Sequence, residues 1–220
     1  MFDRESLRTI IWDFNGTLLN DMQVCVDCMN IMLRERGLAG LDLPRYRQIF
    51  TFPVREYYEK LGFDFRLEPF EIPAHQFIDH YKVNLTNAPL HAGVFEMLSQ
   101  LREEGFRQVI LSAMEQALLE DTLEKKGILG FFDKVAGIRD HLADGKLGMA
   151  KELVASLGND RSGLCLIGDT IHDFEVAAGA GIPCLLVAHG HQSPKRLLQL
   201  ECRVFSNLEE LRQRLLRRTK

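Results

Sequence analysis

Long apolar runs are missing from this chain. None approaches the roughly 20 residues that a membrane-spanning helix requires, so no membrane partner is expected. The N-terminal Met1-Phe2-Asp3-Arg4-Glu5 is charged from its third residue and lacks the apolar stretch of a secretion signal, so export is not expected. Cysteine is sparse, five residues at irregular spacing. An odd, scattered set argues against a disulfide framework and leads to the expectation of a reducing, cytoplasmic setting. Cys25 and Cys28 form a CxxC, but inside a helical pattern and with no second pair, so neither a zinc site nor a redox pair is expected there. Excess positive charge is missing too. With 27 Lys and Arg against 31 Asp and Glu the net charge is −4, which gives no electrostatic ground for binding nucleic acid. The one basic cluster, Arg212 to Lys220, closes a C-terminal helical pattern and suits the dipole of that helix. Internal repeats and low-complexity segments are also lacking.

What is present is an ordinary globular composition, 46% apolar and 26% charged, over 220 residues. That length holds one large domain or one domain with an insertion. Short apolar runs bounded by turn residues read as strands: 9–14, 108–113, 134–138, 164–169 and 183–188, with a weaker one at 202–205. The stronger runs are apolar throughout rather than alternating, as strands covered on both faces should be. From residue 94 onward helical patterns separate them, at 94–104, 116–126, 149–157 and 174–180. Strand and helix alternate, so an α/β fold with a doubly wound, Rossmann-like parallel sheet is expected.

One connection breaks that rhythm. Between Leu19 and Ala88 no strand is evident, and the stretch reads as helices at about 21–36, 44–50, 54–61 and 72–85, punctuated by Gly37, Pro53, Gly62, Pro69 and Pro73. The expectation is a helical domain over residues 19–86 inserted into an α/β core made of 1–18 and 87–220.

Ligands of a parallel sheet bind beyond the carboxyl ends of its strands. The first strand ends in Asp13, followed by Asn15-Gly16-Thr17; the second ends in Ser112-Ala113; a later one ends in Gly168-Asp169, with Asp173 four residues on. Lys146 precedes the helix leading into that strand, with Lys151 as its rival. Carboxylates approach a phosphate dianion only with a cation between them, so Asp13, Asp169 and Asp173 together imply Mg²⁺ and phosphoryl transfer. Asp13 then suits in-line attack on phosphorus, while Ser112 and Lys146 suit the equatorial oxygens. The turn at Gly16 and Thr17 offers N–H groups to an anion.

These motifs carry a resemblance. Asp13-Phe14-Asn15-Gly16-Thr17-Leu18 resembles the DxDGTL motif of the haloacid dehalogenase-like hydrolase superfamily, and Gly168-Asp169-Thr170-Ile171-His172-Asp173 matches its GDxxxD motif. Ser112 and Lys146 look like its second and third motifs, and the inserted helices are similar to the α-helical cap of phosphoglycolate-phosphatase-like members. The resemblance implies a phosphatase of a small phosphorylated metabolite, with an aspartyl-phosphate intermediate, a monomeric or homodimeric state and a cap that closes over the site. It also implies Mg²⁺ held by Asp13, the Asn15 carbonyl, Asp169 and Asp173, and phosphate held by Gly16, Thr17, Ser112, Ala113 and Lys146.

Position 15 departs from the pattern. The family's phosphatases carry a second Asp there as general acid and base, and an amide does neither. Its place among the catalytic residues therefore leaves the proton transfers to another group, for which His172, Glu56 and Lys60 are candidates. The departure also keeps open hydrolysis of a C–P or C–halogen bond, with Lys60 as a Schiff-base lysine for the former, or a weakened phosphate-ester binder. On sequence alone, Asn15→Asp is expected to raise turnover of alkyl phosphates. Other groups near the rim are Arg45, Arg47 and Arg55, read mainly as solvated helix faces, and His189-Gly190-His191, read as a rim loop rather than a metal site. The aromatic set Phe50, Phe52, Tyr57, Tyr58 and Phe63 reads as the core of the helical insertion or its contact with the sheet.

Overall fold

The computed structural model describes residues 4–138, 145–158 and 160–216. Six parallel strands, β1 (Thr9–Trp12), β2 (Arg107–Glu115), β3 (Lys134–Ile138), β4 (Leu164–Gly168), β5 (Cys184–Val187) and β6 (Arg203–Phe205), form one sheet in the order β3-β2-β1-β4-β5-β6. The chain winds outward from β1 to β3, returns to lay β4 on the other side of β1, and winds outward again. The reversal falls between β1 and β4, which makes the cleft beyond their carboxyl ends the place where such a sheet takes ligands.

The apolar strands are explained by what covers them. Ile10 and Trp12 face a cluster with α5 (Val94–Glu103), α6 (Gln116–Lys125) and α10 (Leu208–Leu216), whereas Ile11 faces one with α7 (Gly145–Leu157) and α8 (Ile171–Ala180). Successive residues of one strand thus enter opposite cores. Trp12 is fully buried, and its indole N–H donates to Gln108 Oε1 at 3.1 Å, so even this polar atom is satisfied.

Four helices, α1 (Met22–Glu35), α2 (Leu43–Ile49), α3 (Val54–Lys60) and α4 (Glu71–Asn84), lie between β1 and α5. Their apolar residues, including Met29, Met32, Tyr46, Tyr58 and Tyr81, continue the first core cluster rather than forming a separate one. The two passages into and out of this segment lie side by side. Leu19 and Leu90 form an antiparallel bridge, Asn20 N donates to Pro89 O at 2.8 Å and His91 N to Leu18 O at 2.9 Å. A short helix, α9 (Pro194–Leu197), follows β5. Among the described residues no helix is long and apolar enough to cross a membrane.

Helix α7 begins at Gly145, four residues earlier than the apolar pattern predicts. Gly145 and Gly148 lower helix propensity and mask the start; as a result Lys146 stands in the first helical turn and not in the preceding loop. Residues 139–144 and residues 217–220 of the basic C-terminal cluster lie outside the described residues.

Candidate active site

Asp13 directly follows β1 and Asp169 directly follows β4, so adjacent strands deliver their carboxylates side by side. Asp173 joins them from the first turn of α8. Its Oδ2 accepts from Thr170 Oγ1 at 2.6 Å and Thr170 N at 3.0 Å, and Thr170 caps the helix in return. This capping box fixes the Asp173 side chain and leaves Oδ1 pointing at Lys146 Nζ, 2.6 Å away. The same ammonium contacts Asp13 Oδ1. Thr17 Oγ1 donates to Asp169 Oδ1 at 2.7 Å and approaches Asp13 Oδ2 at 3.3 Å. All six residues are buried.

Charge in this cluster does not balance. Among the described residues three carboxylates stand around one ammonium, which contacts Asp13 and Asp173, and each offers an oxygen within 4.8 Å of the others. Burial pushes Asp13 up to about 8, with Lys146 opposing and Asp173 and Asp169 reinforcing the rise. Burial also raises Asp169 to about 6. Lys146 is raised by Asp13 and Asp173 against its own burial, and Asp173 is lowered by Lys146 against its burial. Uncompensated buried negative charge on hard oxygen donors is what a divalent cation such as Mg²⁺ relieves, so the residues fit that ion.

A second buried cluster flanks the same turn. Asp21, eight residues after Asp13, is 1% exposed. Its Oδ2 accepts from Tyr81 OH at 2.6 Å and Asn15 Nδ2 at 2.9 Å; its Oδ1 accepts from Gly16 N at 3.0 Å and faces His191 Nε2 at 3.3 Å. Burial would raise Asp21, yet His191, Tyr81 and Asn15 hold it at about 2. Burial would lower His191, yet Asp21 and the Asp169 charge lift it to about 9. The pair is therefore ionised at neutral pH. His191 Nδ1 reaches Tyr46 OH at 2.7 Å, and its backbone N donates to Asp169 Oδ2 at 2.6 Å, which ties the two clusters together. Gly16, at φ +77°, has no room for a side chain, because a Cβ there would strike both Asp169 and His191.

Sequence reasoning placed Asp13, Asn15, Gly16, Thr17, Ser112, Lys146, Asp169 and Asp173 on one rim, and the structure brings them together. Ser112 Oγ lies 3.3 Å from Asn15 Oδ1, while Ala113 beside it is exposed. Lys151 is exposed and takes no part, so Lys146 is the lysine at the cluster. One expectation is corrected. The Gly16 N–H does not face an anion site, because the turn folds back and presents it to Leu19 O at 2.8 Å and to Asp21.

Among the other candidates, Glu56 and Lys60 are exposed on α3. The His172 ring stacks on Phe52 at 4.7 Å and its Nδ1 lies 3.7 Å from Glu175. Phe50, Phe52 and Tyr57 form an edge-packed aromatic group against His191 and His172, so they serve both as helical core and as contact with the sheet side. Arg47 is no solvated face. Its guanidinium donates to Ala188 O at 2.7 Å, Gly190 O at 2.9 Å and Gln192 O at 3.3 Å, clasping the loop after β5. His91 and His189 stack with ring centroids 3.8 Å apart and engage Gly16 O and Thr17 O, each at 3.0 Å. Asp21, Tyr46, Tyr81 and His191 were not legible as partners of the turn. The signal available was the amide at position 15, which invites a search for a carboxylate nearby.

A parallel sheet with carboxylates at its switch point and helices inserted after the first strand defines an α/β protein with a buried acidic site at its strand ends, and comparison with known proteins gives its family. The family model described as haloacid dehalogenase-like hydrolase matches residues 10–187, and the chain belongs to that family. Phosphoglycolate phosphatase of Caulobacter vibrioides is 30% identical over 212 residues, covering 91% of this chain and 88% of its own. N-acetylmuramic acid 6-phosphate phosphatase of Pseudomonas putida is 23% identical, with 86% of each chain covered. Among solved structures, a predicted phosphatase from Clostridium acetobutylicum shares the fold with a TM-score of 0.81 at 20% identity, covering 96% of this chain and 98% of its own.

Proposed function

We propose that this protein is a Mg²⁺-dependent phosphatase of a small phosphorylated metabolite, working through an aspartyl-phosphate on Asp13. The observation that carries the reading is the buried set Asp13, Lys146, Asp169 and Asp173 at the sheet's switch point, its three carboxylates each offering an oxygen within 4.8 Å of the others. The curated relatives named above, both phosphatases of small phosphorylated molecules, support the same class. Asp13, the Asn15 backbone carbonyl, Asp169 and Asp173 would hold Mg²⁺. When bound, the ion neutralises the carboxylates and the phosphate so that like charges can meet.

The chain's own residues then have distinct tasks. An Asp13 oxygen attacks phosphorus as the ester P–O bond breaks, and water later cleaves the acyl phosphate, returning Asp13 and inorganic phosphate. Lys146 holds Asp13 in place and offsets charge on the phosphoryl oxygens, and Ser112 turns its hydroxyl proton from Asn15 Oδ1 to another of them. Asn15 has no proton to give the departing alkoxide, so substrates with good leaving groups, acyl and aryl phosphates, are favoured over alkyl ones. The helices of 19–86 act as a cap that closes the site, through the Arg47 clasp and the Phe52–His172 stack. Phosphonate cleavage would need Lys60 at the site, and Lys60 stands exposed on α3.

A phosphate-release assay over a panel of acyl, aryl and alkyl phosphates tests this, with Mg²⁺ or with EDTA. Asp13→Ala is expected to reduce release to the uncatalysed background. Undiminished activity in that variant would refute the mechanism.

A further inference from the structure

Asn15 is held from both ends of its amide. Nδ2 faces two oxygens, Asp21 Oδ2 at 2.9 Å and Tyr81 OH at 2.8 Å, while Oδ1 faces Ser112 Oγ at 3.3 Å. The reverse orientation would set the amide oxygen against the Asp21 carboxylate and take from the Ser112 hydroxyl its acceptor, so the network favours one orientation. Ser112 Oγ in turn accepts from Met114 N at 3.1 Å, which leaves its proton for Asn15 Oδ1. A directional chain therefore runs from Asp21 through Asn15 to the Ser112 hydroxyl.

Asp21 itself has no capacity left. Its two oxygens take Asn15, Tyr81, Gly16 N–H and His191, and it is 1% exposed. A carboxylate so placed neither reaches a substrate nor passes a proton to one. It acts on its neighbours.

We propose that Asp21 is a positioning residue for the Asp13 reaction: it locks the Asn15 amide, and through that amide aims Ser112, so that positions 15 and 21 form one unit that takes a single carboxylate. The proposal rests on the phosphatase reading above. It reverses the expectation drawn from sequence for Asn15→Asp. With Asp21 present, that substitution sets two carboxylates about 2.9 Å apart in a buried site and removes both Nδ2 hydrogen bonds, which are what fix the group that Ser112 faces. Exchanging both residues is a different matter. An amide at position 21 offers its oxygen to Gly16 N–H and His191, and its nitrogen to a carboxylate at position 15, which also accepts from Tyr81. Charge and hydrogen-bond count are then kept.

A double-mutant cycle decides it, with wild type, N15D, D21N and N15D/D21N compared for melting temperature and for phosphate release with Mg²⁺. Each single variant is expected to melt below wild type. At a temperature where circular dichroism shows it folded, D21N is expected to lose about 10- to 100-fold in kcat with KM within about threefold, the size of effect seen when residues supporting a site are removed. N15D/D21N is expected to melt above N15D and to recover at least about tenfold of its lost kcat. Additive melting shifts, or a double variant no better than N15D, with an active wild type, would overturn the proposal and leave the phosphatase reading standing. Equal phosphate release from wild type and Asp13→Ala would instead sink the phosphatase reading, and this proposal with it.

Discussion

Two buried charged clusters meet at the turn 15–17, and they are built to opposite rules. On the sheet side, Asp13, Asp169 and Asp173 share Lys146 and are left with surplus negative charge. On the side of the inserted helices, Asp21 and His191 are matched one to one, and Tyr46, Tyr81 and Asn15 fill the remaining hydrogen-bonding positions. The first cluster gains by taking up a cation; the second is complete without one. An enzyme needs both kinds. A site that binds charge must be unsatisfied when empty, and it keeps its shape in that state only if something adjacent is fully satisfied.

The comparison is broken most severely at Lys146. Lys146→Met removes the one ammonium that the described residues place in the first cluster while preserving much of the side-chain volume. Loss of kcat of about 10²- to 10³-fold is expected, the range for removing one charge-stabilising donor. Asp13 and Asp173 would also lose their buried counter-charge. If phosphate release in Lys146→Met stays within a few-fold of wild type, Lys146 is a structural residue and the sheet-side cluster has been misread.

Metal addition at two pH values probes the imbalance more gently. Asp13 and Asp169 have folded pKa values raised from 3.8 to about 8 and about 6. A carboxylate raised on folding binds its proton more tightly in the folded chain, so its contribution is fully present below pH 4. That contribution is lost as pH rises through 6 and then 8. Mg²⁺ takes the proton's place, so it should stabilise little at pH 5 and clearly at pH 8. At a hundredfold excess over Kd the gain is about 2.7 kcal/mol, roughly 5–10 °C in Tm for a chain of this size. Differential scanning fluorimetry with Mg²⁺ and with EDTA measures it; equal shifts at both pH values would mean the cluster is not the metal site.

How much of this was readable beforehand follows the same division. Asp13 and Asp169 stand at the ends of apolar strands, with Asp173 four residues on in the first turn of α8, and a parallel sheet collects strand ends on one rim, so local pattern plus topology was enough. The choice of Lys146 over Lys151 was not local. It depends on where α7 begins, and glycines at 145 and 148 blur that start. Asp21 and its partners were invisible for a different reason. Tyr81 is 60 residues away and His191 170 residues away, reached only through the path of the inserted helices. Arg47 reads as a solvated helix face in sequence and becomes a clasp only once the loop 188–192 lies against α2.

That clasp gives the smallest effect and the sharpest test of how the satisfied side is held. Arg47 donates through Nε and Nη2 to three carbonyls of the loop that carries His191, and its own carbonyl accepts from Ser193 N at 2.9 Å. A guanidinium spans three acceptors with a fixed planar fork; an ammonium of similar charge is a point donor on a flexible stem. Arg47→Lys therefore keeps the charge and loses one or two hydrogen bonds, each worth about 1 kcal/mol. A fall in Tm of roughly 2–6 °C is expected. Because the loop places His191 N on Asp169 Oδ2, KM should rise by a few-fold while Asp13 chemistry persists. If Arg47→Lys matches wild type in both Tm and KM, the loop after β5 is held by Gln192, Arg196 and their contacts with Phe50 O. The satisfied cluster would then owe its position to the backbone at Phe50, at the end of α2, and not to the Arg47 fork.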